Sequence, residues 1–152
     1  MSAFVAAGAG FLLAVLWFDL MFDVQVLGRP RGEAELPEPL LASISAYYRR
    51  VTFAARPMNR LVAAVMLGTV AALIVEVARG DRPAWAAWAS LALALAAISI
   101  AAVRTVPGAV RLGTLAEGPA EQSRLARSIC RDHIVCTAAI AAVLAIQLGF
   151  AT

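Results

Sequence analysis

Two aspartates stand four residues apart in the otherwise apolar stretch LWFDLMFDVQV, residues 16–26. Residues i and i+4 share one face of a helix, so Asp19 and Asp23 point the same way. Two like charges on one face push one carboxyl toward its protonated form, giving a pair suited to general acid and base chemistry. The chain's single histidine, His133, titrates near neutrality and is the natural proton carrier for such a pair. Other polar groups are expected at the same depth. Asn59 and Arg60 open one apolar run, Arg104 and Thr105 close another, and Arg131 and Asp132 precede His133. The arginines would set the charge on the carboxylates. Cys136, at i+3 from His133, would complete a metal-ligand set of Asp19, Asp23, His133 and Cys136.

Three readings of this group stand side by side. In the catalytic one, Asp19, Asp23 and His133 move protons on a bound substrate. In the ligand one, the same groups with Cys136 hold one metal ion; otherwise no cofactor is expected. In the structural one, Asp19 and Asp23 pair with Arg60, Arg104 or Arg131 and fix helix register. A carboxylate at mid-span costs about 2.5–3.5 kcal/mol on insertion scales and less near the ends, so one arginine each offsets it. Glu76 lies at the far end of its run, with Arg79 at i+3 as its expected partner. The two cysteines, Cys130 and Cys136, are six residues apart, which points them to different faces and matches no redox motif. Phosphate-loop, nucleophile-elbow and dinucleotide-glycine patterns are absent.

The elements that must position these residues are membrane spans. The chain has 152 residues, is 62% hydrophobic and has a mean hydropathy of +0.81, well above a soluble domain. Four apolar runs, about 3–23, 58–78, 84–103 and 133–150, each supply roughly the 20 residues that a bilayer core requires. The fold expected is all-α: a single-domain, polytopic four-transmembrane-helix bundle, tightened by alanine- and glycine-rich faces. Two long loops, 28–57 and 104–132, join the runs. In the first, a Pro/Gly/Glu linker leads to LLASISAYYRRVTFAAR, residues 40–56, whose apolar groups recur at helical spacing. It is expected as an amphipathic helix on the inner membrane surface, arginines toward lipid phosphates; a continuation of the second span fits equally. Pro57 then either starts or kinks that span. In the second loop, EGPAEQSRLARSICRDH is expected as a polar helix running into the last span.

All 13 basic residues are arginines. Most lie in or beside the two long loops, and only Arg79 and Arg82 lie in the turn between the second and third spans. The positive-inside rule therefore places the long loops in the cytoplasm and both termini outside. Membrane orientation accounts for the net charge of +3, and nucleic acid is not an expected partner. Many alanines and no lysine suggest a bacterial source, hence the bacterial cytoplasmic (inner) membrane.

RTVPGAVRLG followed, after a polar stretch, by SRLARSICRDHIVCTAAIAAVL resembles the last loop and helix of the anthrone-oxygenase-like family. Pro107, the arginine-bearing segment and His133 carry the resemblance, and Tyr47 and Tyr48 are in keeping with it. Gly108 and Ala109 stand where that family has an asparagine, and Ile129 where it has a tryptophan. The resemblance implies a small four-helix membrane protein that oxidises polycyclic phenols without a known cofactor. The leading functional expectation is accordingly an oxygenase- or oxidoreductase-like enzyme acting on a hydrophobic small molecule from the cytoplasmic leaflet. The alternative is a non-catalytic membrane subunit or homo-oligomeric scaffold, whose Asp–Arg pairs are structural and whose small-residue faces meet a partner subunit or lipid. A proton-coupled carrier is the third.

Overall fold

Four segments are long and apolar enough to cross a membrane: Ser2–Val26, Arg56–Arg79, Ala84–Thr114 and Pro119–Gly149. They belong to a computed structural model that describes residues 2–29 and 35–149. Residues 30–34 of the linker, Arg31 among them, and Phe150 at the expected end of the last span lie outside the described residues.

Helix α1 is Ser2–Asp23, followed by a 3-10 turn, Val24–Val26. Helix α2 is Glu38–Arg49 and ends in a π turn, Arg50–Ala54. Helices α3, Arg56–Arg79, and α4, Ala84–Ile100, form a hairpin. Gly80 closes α3 with φ 66°, the left-handed conformation that a glycine adopts without a Cβ penalty. A second π turn, Ala101–Thr105, carries α4 into α5, Val106–Thr114, and α6 is Pro119–Gly149. Pro57 sits in the first turn of α3, where a missing N–H costs nothing; Pro107 follows the second π turn inside the continuous helical segment Ala84–Thr114, where it leaves the helix one backbone donor short. The protein is an all-α, polytopic four-helix bundle with an amphipathic helix, α2, before the second span.

The spans close a ring: α1 packs on α3, α3 on α4, α4 on α6 and α6 on α1. Small residues permit the approach. A Cβ on Gly8 would run into the Thr69 hydroxyl across the α1–α3 contact. Outside the ring, Trp17, Phe18, Leu67, Ile74, Val103 and Leu148 are exposed, a surface that suits lipid rather than water.

Two of the spanning segments, Ala84–Thr114 and Pro119–Gly149, are 31 residues long. At 1.5 Å per residue each reaches about 46 Å, against a hydrocarbon core of about 30 Å. The excess builds a cap. The interior is correspondingly divided into two clusters. One fills the ring with Val5, Ala9, Leu73, Ala94, Ile140 and Val143. The other joins α2, α5 and the start of α6 through Leu41, Ile44, Tyr48, Leu112, Ala126 and Ile129.

This cap departs from one expectation and enlarges another. The apolar face of α2 is turned against α5 and α6, with Ile44 fully buried, and not against lipid. The polar helix expected before the last span is the first part of α6, and the rest of segment 104–132 is helical too, except for a turn at 115–118. The reason is mutual: α2 and α5 each have an apolar stripe, and each covers the other's. Gly113 lets them touch, since a Cβ there would stand 3.0 Å from the Arg49 nitrogen. Leu115 ends α5 at φ 55°, unusual for a residue with a side chain.

Candidate functional site

The seam between the two interior clusters is polar. Helix α1 brings Asp19 and Asp23 to it on one face, α6 brings His133, and α2 brings Tyr47 and Tyr48. Asp23 is fully buried. Its Oδ2 lies 2.6 Å from His133 Nδ1, and its Oδ1 accepts a 2.6 Å hydrogen bond from the Tyr48 hydroxyl. Asp19 accepts a 2.6 Å bond from Tyr47, and its Oδ2 lies 3.8 Å from His133 Nε2. The imidazole is thus held between the two carboxyls. Tyr47 also stacks on Phe22 at 4.0 Å, and its ring meets Tyr48 edge to face.

Burial pushes both tyrosine hydroxyls well above the ordinary tyrosine range; the facing charge, Asp19 for Tyr47 and Asp23 for Tyr48, pushes the same way. Both therefore stay neutral donors. The cluster ties three elements together: α1 to α6 through histidine, and α1 to α2 through the tyrosines. Asp23 has both oxygens engaged, which is what a buried carboxyl requires.

The remaining sequence-predicted groups are elsewhere. Arg104 pairs with Asp132 at 3.1 Å, not with Asp19 or Asp23. Asn59 donates to the carbonyl of Val51 at 2.7 Å and secures the π turn at the start of α3. Arg60 and Arg131 are exposed and make no ion pair with another described residue. Expected Asp–Arg pairing is thus replaced by Asp–His and Asp–Tyr pairing, because α2 folds over the seam and excludes the arginines. Cys136 turns its thiol to the carbonyl of Ala97 at 3.5 Å, so it does not join Asp19, Asp23 and His133 as a fourth ligand. Among the described residues no group of three or more His, Cys, Asp and Glu is arranged to hold a metal ion. Both cysteines are buried free thiols. Glu76 pairs with Arg82 at 3.1 Å rather than with Arg79, and Gln147 donates to its other oxygen at 3.0 Å.

The tyrosines are the partners that sequence reasoning passed over. The available signal was a pair of phenols in an amphipathic helix next to buried carboxylates, since a buried Tyr hydroxyl requires a hydrogen-bond partner.

Residues 1–151 match the model of the SHR3 chaperone family, described as ER membrane protein SH3. No curated protein and no solved structure matches the chain. The family match overturns three expectations. The resemblance to the anthrone-oxygenase-like family, which rested on loose motifs over a third of the chain, gives way to a match over nearly all of it. The enzyme reading built on that resemblance falls with it, and the non-catalytic alternative fits better. The bacterial inner membrane is replaced by a family of the ER membrane. Arginine and alanine usage reports composition and orientation, which do not specify a compartment.

Proposed function

The chain belongs to the SHR3 chaperone family, and from that membership we propose that it is a non-catalytic, multi-spanning chaperone of the ER membrane that shields other membrane proteins as they fold. The observation that carries this reading is the extent of the match, residues 1–151. Its physical basis is the outer surface of the ring. In lipid, helices associate through packing and polar contacts rather than through the hydrophobic effect. A surface with large apolar groups such as Trp17, Leu67 and Val103 beside small ones can therefore meet an incompletely assembled span reversibly.

In this reading Asp19, Asp23 and His133, with Tyr47 and Tyr48, form a clasp that holds α2 and the cap on the bundle. Arg104 braces the middle of α6 through Asp132, and Asn59 secures the turn into α3. Arg60 and Arg131 contribute to the positive charge at the cap end, which faces the cytosol.

Cell-free synthesis of multi-spanning membrane proteins into vesicles, with and without the chain, tests the reading. The fraction of client recovered unaggregated in mild detergent should rise when the chain is present. No change across a panel of clients would overturn it.

A further inference from the structure

A groove of about 970 Å³ runs along the outward side of α2. Its ends carry opposite charge. Glu35 and Glu38 line one end, Arg49 and Arg50 the other. From Glu38 to Arg49 is the full length of α2, about 16 Å of helix rise. Phe53, past the arginine end, and Leu115, at the end of α5, add exposed apolar surface, at 47% and 51%. Between the charged ends α2 contributes Leu41, Ala42 and Ala46, the leucine buried and the two small alanines exposed, so the middle is apolar and its floor low. Ser45 also lines it; that residue is 1% exposed, and its hydroxyl has no hydrogen-bond partner among the described residues.

We propose that this groove docks a short segment of a client membrane protein. The segment is about as long as α2 and apolar in its middle, with acidic groups facing Arg49 and Arg50 and basic groups facing Glu35 and Glu38. The proposal rests on the chaperone reading and assigns it a recognition surface on the cap. Charge decides the occupant. An anionic lipid headgroup would satisfy the arginines and be repelled at the glutamate end. A zwitterionic headgroup carries both charges, but only a few ångströms apart, too close to reach both ends. A peptide segment places opposite charges at the required separation, with apolar side chains between them.

The test uses the full chain in lipid nanodiscs and a fluorescent synthetic peptide. The probe has paired glutamates at one end, a leucine–alanine middle and paired lysines at the other; a control peptide has glutamates at both ends. Binding is read by anisotropy. The charge-segregated peptide should bind, at least tenfold more tightly than the all-acidic one. The double variant Arg49→Glu/Arg50→Glu should weaken it at least tenfold. Ala46→Trp, an exposed position where extra bulk fills the groove without entering the core, should abolish it. Unchanged helical content and gel-filtration profile verify the fold of both variants. Equal affinity for the two peptides, competition by anionic-lipid vesicles, or unchanged binding to both variants would overturn the proposal. A chain that prevents client aggregation but binds no probe overturns the groove alone. A chain that binds the probe through this groove yet prevents no aggregation overturns the chaperone reading alone.

Discussion

Asp23 is the residue on which the seam depends. It is fully buried, and its two oxygens are taken by two different helices, Tyr48 from α2 and His133 from α6. Replacing it with alanine strands both partners, so Asp23→Ala should cost about 3–5 kcal/mol, the range for breaking a buried pair by removing one member. Tyr48→Phe deletes a single donor and should cost about 1–3 kcal/mol. Thermal unfolding in mild detergent gives the order: Asp23→Ala below Tyr48→Phe below wild type. The two tyrosines are the only ones in the chain, so tyrosinate absorbance reports them alone. Their hydroxyls are held above the ordinary range, so the folded state keeps protons that the unfolded state gives up above a pH of about 10. This contribution to stability is fully present below that pH and is lost as pH rises beyond it. Alkaline titration should show tyrosinate appearing together with unfolding; ionisation near pH ~10 with the fold intact would contradict the clasp geometry. In the sequence, Asp19 and Asp23 stand out because carboxylates are costly in an apolar run, and His133 because it is alone. Their partners do not stand out. Arginine is the obvious counter-group for an aspartate, and nothing local distinguishes Tyr47 and Tyr48 from the apolar stripe they sit in.

The elements are held by close helix crossings, and glycine positions separate the crossings that matter. Gly8 and Gly10 both lie on α1, but only Gly8 faces another helix within van der Waals reach, at Thr69. Gly8→Ala should therefore destabilise by about 1–3 kcal/mol through overpacking. Gly10→Ala should be neutral or stabilise by about 0.5–1 kcal/mol through helix propensity. Comparing the two by thermal unfolding separates packing from propensity. Gly113→Ala would meet the backbone of Arg49 and Tyr48, which cannot yield as a side-chain tip can, and should part α5 from α2. Faster proteolysis between residues 38 and 54, with the spans protected, would report that loss. The four spans are legible because length and hydropathy alone define them. The cap is less so. Segment 40–56 has helical spacing, but an apolar stripe on a surface helix points equally to lipid or to another protein stripe. The α5 segment is too short to announce that it is α2's partner.

For the whole molecule, charge asymmetry sets orientation. The cap end bears Arg49, Arg50, Arg56, Arg60, Arg104 and further arginines, whereas at the far end Arg82 is buried against Glu76. The far-end turn should therefore face the ER lumen. A cysteine introduced as Asp81→Cys should resist an impermeant thiol reagent in sealed microsomes and react once detergent is added; labelling in sealed microsomes would reverse the orientation. The compartment itself was not legible. The positive-inside rule holds in both the bacterial and the ER membrane, and arginine-for-lysine usage is silent on which one a chain enters. The proposed role is to keep other membrane proteins from aggregating in the ER membrane. Its most direct test is to deplete the chain from cells that express it and measure, protein by protein, the detergent-insoluble fraction of ER membranes. A defined set of multi-spanning proteins should move into that fraction and return when the chain is restored. A membrane proteome whose solubility does not change on depletion would contradict it.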